Sequence, residues 1–213
     1  PRGALSCRFT HATAGSGVLV DLVSHGFDLG RYLVGEITAL VADSATFIPA
    51  RAAALGPSVG HAHRSAGGPL LPVENEDYAA ALLRFDGGAR GSLTSSRVAV
   101  GEQCTYQIAV HGDRGALRWD FRRMGELELC LDQDYADASY RTHLVRPGDA
   151  ELAVFQPGAG IAMSYDDLKI IECRRLITSI ATGTPHGATI DDAARAADVV
   201  AAMSRSIDTR AWV

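Results

Sequence analysis

Tyr78-Ala-Ala-Ala-Leu-Leu-Arg-Phe85, Asp86-Gly87-Gly88 and Ala89-Arg-Gly-Ser-Leu-Thr-Ser-Ser-Arg-Val98 follow one another in the chain. Two strand-forming runs joined by Asp-Gly-Gly predict a hairpin, because glycine supplies the backbone conformation a tight turn needs. The pattern recurs downstream, where residues 105–111 and 115–121 flank Gly112-Asp113-Arg114. Turns this short force antiparallel neighbours. Residues 126–131, with Leu127, Leu129 and Leu131 alternating, and residues 140–145 predict two more strands.

Upstream of this block, residues 37–48 are rich in β-formers and residues 4–10 read as a short strand. Between them lies a helix, opened by Gly15-Ser16-Gly17 with Ser16 as N-cap and closed by Gly35. Residues 49–73 shift to Gly, Ala, Pro and His without periodicity, which predicts a long loop or a partly disordered insertion. At the other end, Tyr165-Asp166-Asp167 starts a helix through Leu168, Ile171, Leu176 and Ile180, stopped by Thr182-Gly183-Thr184-Pro185. Its early aspartates suit the positive end of the helix dipole. Thr189 caps a second helix through Ala193, Ala197, Val200 and Met203. The sum is an α+β fold: an open, largely antiparallel β-sheet with helices on one face, in a single domain spanning residues 1–213.

The bulk numbers narrow the partners. With 213 residues, 47% hydrophobic content and a net charge of -5, the chain has a soluble globular composition. Scattered arginines on an acidic background argue against nucleic acid or an anionic membrane as the main partner. No apolar run reaches the ~18 residues of a membrane span, and the start shows no basic n-region followed by a short apolar stretch, so no signal peptide is visible. Cys7, Cys104, Cys130 and Cys173 form no CxxC pair, which fits a reducing, cytoplasmic setting and small buried hydrophobes.

One stretch points to chemistry. In Asp21-Leu-Val-Ser-His25-Gly-Phe-Asp28 two carboxylates and an imidazole fall within about 60° of one another on a helix. Their neighbours Val18, Leu19, Val20, Leu22, Val23, Phe27 and Leu29 are apolar, so the stripe interrupts a hydrophobic helix at a cost. Proton transfer explains it: histidine titrates near neutrality, and a carboxylate one turn away can orient the ring. Polar residues that merely face a loop or cap nearby strands explain it equally well. Asp21 and His25 also have the spacing of a metal pair, but lack a third and fourth ligand. His61-Ala-His63 sits in a Gly/Ala-rich stretch without acidic neighbours and reads as solvated loop. Gly15-Ser-Gly17 and Gly158-Ala-Gly160 fail as dinucleotide loops, since no βαβ unit or acidic strand end accompanies them.

The stretch from Ala14-Gly-Ser-Gly through Asp21, His25 and Asp28 to Gly35 resembles the helix motif of the Gfo/Idh/MocA oxidoreductases. Three further stretches resemble the family in order: Glu76-Asp-Tyr-Ala-Ala-Ala-Leu-Leu-Arg-Phe-Asp-Gly-Gly, His111-Gly-Asp-Arg-Gly-Ala-Leu-Arg-Trp, and the tail from Asp167 through Thr189-Ile-Asp-Asp-Ala. The resemblance implies the C-terminal substrate and oligomerisation domain of a two-domain enzyme. An N-terminal Rossmann domain would bind NAD or NADP and supply a lysine. By the family pattern His25 would be the acid/base on a substrate hydroxyl while hydride goes to the nicotinamide. Asp21 would orient it or hydrogen-bond beside it, Asp28 would contact a sugar or polyol hydroxyl, and Tyr165 would approach the cofactor. No metal is implied.

The sequence departs from that pattern. The Rossmann fingerprint and the glutamate-lysine-proline motif are absent, so the chain alone should not turn over, and the step from Thr10 to Gly15 is short. The expected activity is that of the substrate half of a dehydrogenase acting on a sugar, inositol or related polyol. A non-catalytic sugar-binding or scaffold protein of the same fold, or a metal-dependent isomerase or lyase, are the competing expectations. A sheet with one uncovered face implies a homodimer or homotetramer through that face.

Overall fold

The computed structural model describes residues 3–54, 65–132, 134 and 136–213. They fall into two compact units, residues 1–100 with 189–213, and residues 101–188.

In the first unit a short helix α1 (His11–Ala14), a π-helical turn (Leu19–Val23) and helix α2 (Ser24–Val34) precede strand β1 (Ile37–Ala45). A hairpin follows, of β2 (Ala50–Ala54) and β3 (Ser65–Pro72), and then β4 (Tyr78–Phe85) and β5 (Arg90–Ser96). The main sheet runs β1-β4-β5, antiparallel throughout, with Leu40 opposite Leu83 and Ala81 opposite Leu93. Alternation along β4 sends Ala79, Ala81, Leu83 and Phe85 inward and leaves Leu82 exposed on the other face. The long C-terminal helix α4 (Ile190–Thr209; α3 belongs to the second unit) adds Val199 and Met203 to the core made with Val18, Leu19, Val23, Phe27 and Leu40. The chain end returns to β1, where Leu40 and Val213 exchange both backbone hydrogen bonds. That pairing closes an otherwise open strand edge.

In the second unit β6 (Gln107–Gly112), β7 (Gly115–Asp120), β8 (Glu126–Cys130) and β9 (Arg141–Leu144) form an antiparallel meander. Ile108, Leu117, Trp119, Leu127 and Leu129 alternate with Gln107, Arg118, Asp120, Glu126 and Glu128, so one face is apolar and the other charged. Helix α3 (Tyr165–Thr182) follows, started by a reciprocal cap between Ser164 and Asp167 and ended by Gly183 in the left-handed conformation. Thr189 and Asp192 cap α4 in the same way.

The hairpins, the two capped helices and the antiparallel α+β class match the sequence expectations. Two segments do not. Residues 4–10 make a single parallel bridge, Leu5 to Ala53, and a 3-10 turn at Cys7–Phe9 rather than a strand. Of the loop or partly disordered insertion expected over residues 49–73, the described part pairs β2 with β3, and residues 55–64 lie outside the described residues. These two strands are built from Ala, Gly and Pro, whose weak β propensity concealed them; strand pairing supplied the order.

Candidate functional site

Val23, Phe27 and Arg31 follow one another at one-turn spacing, and all three are buried. On the same helical wheel Asp28, Asp21 and His25 lie about 100–160° from Phe27, the middle of that row, so the stripe runs from the flank of the helix to its outer side. His25 is accordingly exposed and both aspartates are half-buried, so the stripe is not interred as its apolar neighbours suggested. Two of those neighbours, Val20 and Leu22, are themselves exposed. A helix apolar on its outer as well as its inner side is built to be covered on both.

The opening of this helix is held from another element. The Glu76 carboxylate accepts the backbone N–H groups of Gly17 at 2.7 Å and Leu19 at 2.9 Å, and its carbonyl accepts from Val18 at 3.2 Å. Glu76 thus does the capping expected of Ser16. A side chain at position 17 would start 1.9 Å from the Glu76 carbonyl oxygen, so only glycine permits this approach. The neighbours of Glu76 act alike. Glu74 accepts from the His11 N–H at 2.6 Å, Asn75 donates to the Arg8 carbonyl at 3.0 Å, and Asp77 accepts from Phe47 and Ile48. Asn75 and Asp77 are buried, which makes these bonds costly to lose. Of these four consecutive polar residues, Glu76 holds the backbone that opens the stripe's helix, Glu74 and Asn75 hold the segment before it, and Asp77 holds the turn after β1.

Within the stripe, Asp21 sits in the π turn, a widened geometry found often at functional sites. Its carboxylate Oδ2 accepts from Arg8 at 2.9 Å and from Arg97. Burial pushes the Arg97 guanidinium below its usual value, and the Asp21 charge counters part of that shift. Asp28 lies 3.8 Å from Arg31. Arg31 itself points inward, forks onto both oxygens of Glu36 at 2.9 Å each and donates to the Asp192 carbonyl. With Arg195 also bonded to it, Glu36 is held down at about 2.

Tyr165 stands in the second unit at the first turn of α3, exposed, with its ring edge-on to Phe121 at 6.5 Å. Asp166 and Asp167 lie in the same turn, where Asp167 serves the cap. His61 and His63 lie outside the described residues. Among the described residues, no group of three or more His, Cys, Asp or Glu is placed to hold a metal ion. Of the four cysteines only Cys130 is a buried hydrophobe; Cys7, Cys104 and Cys173 are exposed. Every described strand ladder is antiparallel. Among the described residues no Gly-rich turn lies in a parallel βαβ unit, the arrangement of a Rossmann dinucleotide site.

Arg8, Arg97 and Glu76 escaped the sequence reading. Glu76 had a signal, an acidic run immediately before a strand. Arg8 and Arg97 had none, because they reach Asp21 from 13 and 76 positions away.

A family model described as GFO/IDH/MocA C-terminal domain matches residues 1–118. Levoglucosan dehydrogenase of Pseudarthrobacter phenanthrenivorans is 32% identical over the whole chain. The chain spans 55% of that relative's length. Among solved structures, levoglucosan dehydrogenase in its apo form superposes with a TM-score of 0.90 at 31% identity, covering 100% of this chain and 55% of that one. The same enzyme in complex with NADH and levoglucosan gives 0.87 at 29% identity, covering 100% and 54%.

Proposed function

The chain belongs to the GFO/IDH/MocA family as its C-terminal domain, and from that premise we propose that it is the substrate-binding and acid/base half of an NAD(P)-dependent dehydrogenase. The substrate is a sugar or related polyol, in keeping with the levoglucosan that its relative is named for. One observation carries the reading: the stripe of Asp21, His25 and Asp28 on α2 and its π turn lies off the buried row of Val23, Phe27 and Arg31, with His25 exposed, and Val20 and Leu22 of the same segment are exposed too. That is the layout of a site closed by a second body.

His25 takes the proton from the hydroxyl being oxidised, which lets the carbon release its hydride. Asp21 holds its place beside His25 through fixed ion pairs, and Asp28 accepts a hydrogen bond from a neighbouring hydroxyl. For Tyr165, in the second unit, the family resemblance supports a contact with the cofactor. NAD or NADP supplies the hydride acceptor, and because the described residues form no cradle for it, it is held by a nucleotide-binding domain beyond this chain. The chain alone is inactive, one substrate and oligomerisation domain of a cytoplasmic enzyme. It assembles as a homodimer or homotetramer through sheet faces such as the one that exposes Leu82.

The test is oxidation of levoglucosan with NAD+ and with NADP+ by the protein carrying its nucleotide-binding domain. His25→Ala is expected to lower kcat by about 10²–10⁴-fold. Full turnover in that variant would sink the acid/base assignment. The isolated chain should produce no NAD(P)H.

A further inference from the structure

We propose that Arg97 is the positioning residue of the site, clamping the Asp21 carboxylate so that its second oxygen keeps one direction beside His25; this rests on the acid/base reading above. Arg97 follows directly on β5, and its backbone N–H donates to the Asp77 carbonyl at 2.8 Å, so its main chain is fixed. Its side chain is 15% exposed and lies over the buried Phe9 ring, 5.6 Å from the centroid, with Arg51 over the same ring at 4.4 Å. Packing along this ring removes the rotamer freedom that an arginine otherwise loses on making an ion pair. The fork is pre-organised before it meets Asp21.

Arg8 completes the clamp from the other side and is 44% exposed. Its carbonyl is pinned by Asn75, so its approach is also set by the backbone. Among the described residues both guanidiniums bond to Oδ2. A carboxylate anchored by one oxygen can turn only about that anchor, and the π turn leaves its backbone less confined than a regular helix would.

The energetics favour positioning over stabilisation. Arg97 Nη1 is closed off from solvent without a hydrogen-bond partner among the described residues, an arrangement that costs free energy. A buried ion pair adds little stability relative to apolar packing of similar volume. What it does provide is a single orientation for a group on the reacting face.

The experiment is a double-mutant cycle in the enzyme with its nucleotide-binding domain, using levoglucosan and NAD+ as the probes. Arg97→Met is expected to lower kcat by about 10- to 100-fold with little change in the KM for NAD+. Arg97→Lys, which keeps a cation but not the fork, should recover part of the loss. In an Asp21→Asn background, Arg97→Met should add less than about twofold, because the group it acts through is gone. Fully multiplicative losses would overturn the proposal. A second readout needs no turnover: the Asp21 carboxylate carbon resonance in this chain should move in Arg97→Lys. An unmoved resonance in Arg97→Lys overturns the clamp. A moved resonance with undiminished turnover in His25→Ala overturns the acid/base reading and leaves the clamp intact.

Discussion

Helices α2 and α3 have comparable sequences and opposite surroundings. Val18, Leu19, Val23 and Phe27, on α2 and the turns leading into it, are buried against β1, β4 and α4. In α3 no residue is buried, and Ile170, Leu176, Ile177 and Ile180 are all more than half exposed. Both carry apolar residues at helical spacing, so periodicity alone makes them look equally embedded. The difference lies in what faces them. One helix was given two sheet strands and a second helix to pack on; the other has its caps, its internal bonds and single contacts such as Tyr165 with Phe121 and Arg175 with Glu151. Apolar spacing reports which side of a helix is meant to be covered, not that the cover is present.

The largest expected effect separates the two helices by truncation. Phe27→Ala should destabilise the first unit by about 3–5 kcal/mol, since it opens a cavity at a fully buried position. Ile177→Ala, at a position 65% exposed, should stay within about 0.5 kcal/mol. Denaturant unfolding followed by amide signals from each unit measures both. Equal losses would erase the contrast drawn between the helices.

A smaller effect comes from the caps, which the two C-terminal helices share. Ser164→Ala and Thr189→Ala each remove a reciprocal cap worth about 1 kcal/mol. In α4, packed into the core, the loss should lower the stability of the whole first unit. In α3 it should appear as local fraying, with faster amide exchange confined to the first turns. Exchange that spreads from α3 across β6–β9 would show that α3 is integral to its unit after all.

The smallest effect is a pH dependence. Glu36 is held at about 2, below its ordinary 4.5, chiefly by its hydrogen bonds with Arg31. A depressed folded-state value means the carboxylate stabilises the fold above pH 4.5, and that contribution is lost as pH falls toward 2. Because the Glu36 side chain is 46% exposed, solvent screening limits the contribution to about 1 kcal/mol or less. The stability gap between Glu36→Gln and the parent should therefore be constant at neutral pH and close across that acid window. A gap that persists at pH 2 would contradict the ion-pair origin. Glu151, lowered by Arg175 in the second unit, offers the same test there, with the amide signals reporting which unit responds.

Turn chemistry, caps and the strand block were legible because they are local. Asp86-Gly87-Gly88 bends the chain through glycine, and Thr189 meets Asp192 three residues on; neither depends on distant residues. The acid/base stripe was legible as a pattern for the same reason, since i, i+4 and i+7 are neighbours on any helix. Its burial was misjudged. Apolar neighbours imply an enclosing core, whereas Val20 and Leu22 turned out to be exposed beside His25.

By itself, then, the sequence determined the antiparallel hairpins, the helix ends and the place of Asp21, His25 and Asp28 on one helical face. Those features follow from backbone stereochemistry and short-range hydrogen bonds. Only the tertiary structure decided which side of that helix faces the core, that Glu76 rather than Ser16 caps its opening, and that Asp21 is gripped by Arg8 and Arg97. The last two join residues 13 to 76 positions apart, and the first packs the helix against α4, farther still along the chain. Contacts at such separation arise from chain packing and long-range electrostatics, which leave no periodic trace in the order of the residues.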